Sequence, residues 1–178
     1  MDVYLEGGAH LRRPMRNFLR RAVGNDINID VDACRSRDRA IARFGRVSSP
    51  DSLLLIDSEG DDLHELRQTV ASRARLPGVL DRTFFMVQLM EAWFLADRET
   101  LQAYYGPRFN PRILPNNPQP EVVLKGDVIN RLSEATRGTP KRIYHKTAHA
   151  PALLNLLNPT AVYNTCPNFR SLVDFLRN

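Results

Sequence analysis

Two short acidic phrases hold the residues best suited to chemistry. Glu6 follows the apolar triplet Val3–Leu5 and precedes Gly7-Gly8, while Asp57 follows Leu53–Ile56 within Asp57-Ser58-Glu59-Gly60. Acids directly behind apolar runs of strand length read as strand-end residues. In a parallel sheet all strands end on one edge, where ligands bind. Neighbouring strands lie about 4.8 Å apart, so carboxylates at their ends can share one cation. The glycines permit a sharp turn and leave room for a phosphate. With no paired lysine expected nearby, Glu6, Asp57 and Glu59 repel one another, and a hard divalent cation relieves that repulsion. Oxygen ligands alone point to Mg²⁺ or Mn²⁺ rather than zinc. The plainer alternative is that such acids cap turns and helix ends.

Secondary candidates each have a plain reading too. Glu91 lies in an apolar stretch beside Trp93 and Phe94, where a carboxylate is costly unless it joins a metal cluster or pairs with an arginine. Lys146 could neutralise a phosphate and His145 could assist proton transfer, or both could belong to a solvated turn with His149. Lys125 is either a phosphate contact or a helix-entry residue. Arg12, Arg16 and Arg20 recur every four residues, spanning about 12 Å of helix. They form a solvated face or follow a phosphate backbone. Asp97 is expected to cap a helical turn.

The elements that position these residues alternate between strand and helix, the pattern of an α/β protein with a parallel sheet. Strands are predicted at Val3–Leu5, around Ile27–Val31, at Leu53–Ile56 and at Thr83–Val87. A helix carrying Leu11, Met15, Phe18, Leu19 and Ala22 follows the first strand. Further helices are expected over Arg39–Phe44, around Leu63–Val70 and from about Leu89 to Tyr105. Prolines 107, 111, 115, 118 and 120 forbid regular structure, so 106–120 should be a surface loop or a lid. Beyond it, Asp127 and Pro151 are expected to open helices, the latter stopped by Asn158-Pro159. Phe169, Leu172, Val173 and Leu176 mark a terminal amphipathic helix. The chain is therefore expected to be one domain over 1–178 with a helical C-terminal part.

Composition narrows the class. The chain has 178 residues, 43% hydrophobic and 25% charged, with a net charge of +5 and a sequence pI near 9.6. That balance leans toward a polyanionic partner. Cys34 and Cys166 have neither disulfide-framework nor zinc spacing, which suits a reducing compartment. The opening MDVYLEGG carries no apolar signal segment, and no apolar run reaches the ~20 residues of a membrane span. A cytoplasmic protein without membrane attachment is expected.

Glu-Gly after a first strand, then Asp-x-Glu after a later apolar strand, resembles the TOPRIM superfamily of topoisomerases, primases and related nucleases. VYLEGG, LLLIDSEG, VQLMEAWFLAD and YHKTAHAPALL together are more closely similar to a prokaryotic domain-of-unknown-function family, DUF4276, placed in that superfamily. The resemblance spans nearly the whole chain, and Met90-Glu91-Ala92-Trp93-Phe94-Leu95-Ala96-Asp97 is its most specific phrase. Topoisomerases and primases usually carry Asp-x-Asp where this chain has Asp57-Ser58-Glu59.

The resemblance implies a TOPRIM-like Rossmannoid fold with a mostly parallel sheet of about four strands flanked by helices. It also implies a Mg²⁺-dependent nuclease acting on DNA more than on RNA. Glu6 would be a general acid/base or a metal ligand, Asp57 and Glu59 would hold the ion, and Gly7, Gly8 and Glu91 would support the site. Family members are similar to effectors found beside ATPases in prokaryotic antiviral defence loci, so an ATPase partner is implied; a homo-oligomer is left open. The competing readings are an inert module that docks on an ATPase or nucleic acid, and a receiver-like domain using Asp57.

Overall fold

The computed structural model describes residues 1–24, 26–47 and 49–178. Four strands, β1 (Asp2–Leu5), β2 (Asp30–Ala33), β3 (Ser52–Asp57) and β4 (Thr83–Met86), form one all-parallel sheet in the order β2-β1-β3-β4. The sequence SLLLID of β3 is buried at all six positions, as a central strand covered on both faces requires. Leu5 lies opposite Leu55 and Asp57 opposite Met86, so β1, β3 and β4 end at one edge. The α/β expectation of a parallel four-stranded sheet flanked by helices is met, as in Rossmann-like folds. The second strand begins later than the alternation around Ile27 predicts, because residues from Asp30 onward are the ones that pair with β1.

Two apolar layers cover the sheet. Helices α1 (Arg12–Val23), α2 (Arg37–Phe44) and α3 (Leu63–Ala74) follow the first three strands. Ala40, Ile41, Phe44, Leu66 and Val70 of α2 and α3 pack with Leu54 and Ile56 on one face. On the other face, Met15, Phe18 and Leu19 of α1 pack with Leu53, Leu55 and the C-terminal helices. Ser36 opens α2 by accepting a hydrogen bond from Arg39 N.

The second half departs from the sequence reading in four places. The helix expected from Leu89 to Tyr105 is two, α4 (Ala92–Leu95) and α5 (Arg98–Tyr105), because Asp97 leaves the helical conformation and caps α5. Its carboxylate accepts from Thr100 N at 3.0 Å and from Asn158 N at 2.8 Å. The proline-rich stretch carries a 3₁₀ turn at Pro111–Ile113, where the prolines were expected to forbid regular structure, and it buries Phe109 and Leu114. Asp127 lies inside the first turn of α6 (Lys125–Thr136) rather than at its cap. Likewise Pro151 lies inside α7 (Lys146–Leu156), where its missing N–H would have faced the carbonyl of Thr147 one turn earlier. Asn158-Pro159 follows α7 as expected and also opens α8 (Pro159–Thr165), which precedes α9 (Pro167–Arg177). The predicted apolar stripe of α9 is buried throughout. No helix among the described residues is long and apolar enough to cross a membrane.

Glu121 anchors α9 from a distant segment. Its carboxylate accepts from Asn168 N at 3.0 Å, Asn168 Nδ2 at 2.9 Å and Phe169 N at 3.3 Å, on the first turn of that helix. Burial pushes its proton affinity up, and those donors oppose the shift. Glu121→Ala leaves buried N–H groups unpaired at a helix N-terminus, so we expect a loss of about 2 kcal/mol in urea denaturation. A loss under ~0.5 kcal/mol, the scale of an ordinary surface substitution, would show that this anchor is unimportant.

Candidate active site

The chain after β1 and the chain after β3 meet at the sheet edge through their acids. Glu6 Oε2 accepts a hydrogen bond from Asp57 N at 3.1 Å, joining the two motifs directly. Gly7 turns the chain away with φ 147°, where an added Cβ would come within 2.8 Å of Leu11 Cδ1, so glycine is required there. After β3, Glu59 (φ 56°) and Gly60 (φ 92°) turn back, and Glu59 N donates to Gln88 O. A cleft of about 240 Å³ results, lined by Glu6, Gly7, Gly8, Asp57, Glu59 and Lys146, with His10, Arg35 and Thr147 at its walls.

Asp57 is 5% exposed. Its Oδ1 accepts from Met90 N at 2.9 Å, and its Oδ2 lies 3.5 Å from Lys146 Nζ. Burial pushes its carboxyl up to about 7; Lys146 opposes that shift, while Glu91 and Glu6 add to it. Glu91, fully buried, accepts from the Tyr144 hydroxyl at 2.9 Å through Oε1. Its Oε2 faces Lys146 Nζ at 3.4 Å without hydrogen-bond geometry and has no other partner among the described residues. Lys146 is held above its ordinary range: partial burial opposes its charge, and the carboxylates of Asp57 and Glu91 outweigh that. Burial likewise raises Glu6 against the pull of Arg37.

Arg37 is the residue that reading the sequence missed. Its guanidinium lies 3.7 Å from Glu6, 3.8 Å from Glu59 and 2.6 Å from Asp61, and donates to Asp57 O at 3.0 Å. The signal was available: β2 pairs parallel with β1, so the segment after β2 reaches the same edge. Tyr144 was missed for a different reason, since nothing local ties it to Glu91, 53 residues away.

The expectation that no lysine accompanies the acids is overturned. Lys146 lies between Asp57 and Glu91, and Lys125 Nζ lies 3.5 Å from Glu59. The expected three-carboxylate cage of Glu6, Asp57 and Glu59 is not formed, and among the described residues no three acids, histidines or cysteines are grouped to hold a metal. Cationic side chains occupy the space between the acids instead. The donor chemistry still suits a hard dication: oxygens from three segments, two carboxylates with raised proton affinity, and the buried Oε2 of Glu91, which faces Lys146 without a hydrogen bond.

His145 does not line the cleft. It is exposed at the N-cap of α7, with Nδ1 3.0 Å from Thr147 Oγ1. His149 is held in an aromatic cluster, with Nδ1 3.2 Å from the Tyr105 hydroxyl. The arginines of α1 are largely engaged: Arg12 and Arg16 with Asp30, Arg20 with Asn28, and Arg21 with the carbonyls of Leu154 and Leu157. A larger cleft of about 540 Å³ beside Asn116 and Asn158 contains Asp97, whose oxygens are occupied in capping.

No curated protein and no solved structure matches the chain. The match found is with a family model described as Domain of unknown function (DUF4276); it spans residues 9–177, taking in Asp57, Glu59, Glu91 and Lys146, and the chain belongs to that family.

Proposed function

We propose that the cleft hydrolyses phosphodiester bonds in nucleic acid, DNA in preference to RNA, with Mg²⁺ or Mn²⁺ as cofactor, as in TOPRIM-type nucleases. One observation carries the reading: at the ends of adjacent parallel strands the Glu6 carboxylate accepts from the Asp57 backbone N–H, and both side chains line a cleft with Lys146. Asp57 and Glu59 are the residues that would hold the cation, with Glu6 and Glu91 within the same acidic group. A cation held there would supply Lewis-acid polarisation of the phosphate, a more acidic bound water and positive charge beside the leaving oxygen.

The chain's own groups do the rest. Met90 N–H fixes one oxygen of Asp57 and leaves the other facing the cleft. Glu6, with raised proton affinity, accepts the proton of the attacking water. The Lys146 ammonium exchanges its carboxylate partners for the charge on the phosphate. Tyr144 keeps Glu91 oriented.

We expect divalent-ion-dependent cutting of plasmid or single-stranded substrates, abolished by chelator, and a loss of about 10²–10⁴-fold in Glu6→Gln, the range for removal of a general base. Activity that survives in both Glu6→Gln and Asp57→Asn sinks the assignment. The ion pairs of Lys146 and Arg37 favour a second reading, in which the acids are structural and the domain binds without cutting. It is distinguished by a melting temperature that Mn²⁺ does not move. The resemblance to defence-associated effectors supports an antiviral role beside an ATPase partner, testable by adding that partner to the cleavage assay.

A further inference from the structure

Beside the acidic cleft lies a second depression, of about 340 Å³, with the opposite charge. Arg35, Arg39, Arg43 and Arg46 line it, with Cys34 at its base. All four arginines are exposed. Arg39 and Arg43 lie four residues apart on α2, about 6 Å along its axis. Arg43 pairs with Asp32 at 2.6 Å, whereas no ion pair among the described residues involves Arg35, Arg39 or Arg46. Burial pushes the Cys34 thiol up to about 11, so it stays neutral and adds no opposing charge.

Arg35 lines this depression and the acidic cleft alike, which makes the two one continuous surface. Its backbone is held at that junction: Arg35 N donates to Gly7 O at 2.7 Å, with φ 73°. Past Arg43 the surface turns acidic, with Asp2, Asp30 and Asp32, which bounds the positive stretch at its far end.

We infer that Arg35, Arg39, Arg43 and Arg46 form a track for the phosphodiester backbone of a nucleic-acid strand, delivering it past Arg35 into the cleft of Glu6 and Asp57. The inference rests on reading that cleft as a phosphodiester site and adds where the substrate lies. Successive phosphates of one duplex strand are about 3.4 Å apart along the axis, so Arg39 and Arg43 address different phosphates. Exposed guanidinium groups suit this contact because they offer paired N–H donors to phosphate oxygens at little desolvation cost. The first-helix arginines, engaged as they are, do not supply this surface.

The test uses the full chain in chelator, so that nothing is cut, with fluorescence anisotropy of labelled DNA and RNA oligonucleotides long enough to span the track. Arg39→Gln/Arg46→Gln should bind about 10-fold more weakly at low salt, and the slope of log affinity against log salt should fall by about 1.4–1.8, two contacts' worth. Arg39→Lys/Arg46→Lys should keep the slope. Both double variants should melt with the wild type, since these side chains are exposed. An unchanged slope in the glutamine variant overturns the track, as does absence of oligonucleotide binding by the wild type. Inorganic phosphate or polyglutamate binding as tightly as the oligonucleotide also overturns it, in favour of a small-anion or an acidic-protein site. Failure of the cleavage reading shows separately, as a lower salt slope in the glutamine variant beside a wild type that cuts nothing with Mg²⁺.

Discussion

Asp57→Asn is expected to raise the stability of the folded protein at pH 8 and at the same time to remove the proposed divalent-ion-dependent cleavage. The carboxyl moves from 3.8 to about 7 on folding, chiefly through burial. The folded state therefore binds this proton more tightly than the unfolded chain. The wild type loses stability as pH rises from about 4 to about 7, and the loss is complete above the folded value. A shift of this size corresponds to a ceiling of roughly 4 kcal/mol at 1.36 kcal/mol per pH unit. Asparagine keeps an oxygen for Met90 N–H and carries no charge, but it leaves Lys146 with Glu91 alone. We expect a net gain of about 1–3 kcal/mol at pH 8, or roughly 3–8 °C in melting temperature, and none at pH 4. Thermal melts of both proteins across that range decide it. A variant less stable than wild type at pH 8 would show that the Lys146 pair outweighs burial.

Trp93→Ala carries the largest expected loss of stability, about 4 kcal/mol. Trp93 is fully buried, with ring centroids 5.7 Å from Phe18 and 4.9 Å from Phe169, so it joins α1, α4 and α9 at one point. Its Nε1–H is buried without a partner among the described residues. Trp93→Phe should therefore cost much less, about 1 kcal/mol, because it removes an unpaired donor along with part of the ring. Trp93 is the only tryptophan, so unfolding is best followed by far-UV circular dichroism. Equal losses in the two variants would mean that the indole N–H is no burden. Trp93 also lies three residues from Met90, whose N–H fixes Asp57, so the alanine variant should lose site geometry along with stability.

The strand-end acids were legible because two local signals coincide. The apolar run Leu53–Ile56 could only be a strand covered on both faces, and Glu6 and Asp57 follow such runs directly. Parallel pairing then places both at one edge without further information. The same logic could have found Arg37, which follows β2. It could not have found Tyr144, nor that Lys146, already a candidate phosphate contact, stands between Asp57 and Glu91, because these partners lie many tens of residues apart. The capping role expected of Asp97 is met, but the helix was carried through it to Tyr105; its second bond, to the distant Asn158 N–H, has no local signal.

Periodicity and turn chemistry are properties of short segments, so the chain alone determined which residues form strands, where the glycine turns fall and which acids stand at strand ends. The order β2-β1-β3-β4 and the return of α7 to the sheet edge are properties of the packed whole. They decided that cationic side chains from distant segments stand among those acids. They also decided that the exposed arginines beside the cleft lie on and around α2 and not on α1. Burial and Coulomb energy act across space regardless of sequence separation, and that is why only the tertiary structure could settle the charge around Asp57.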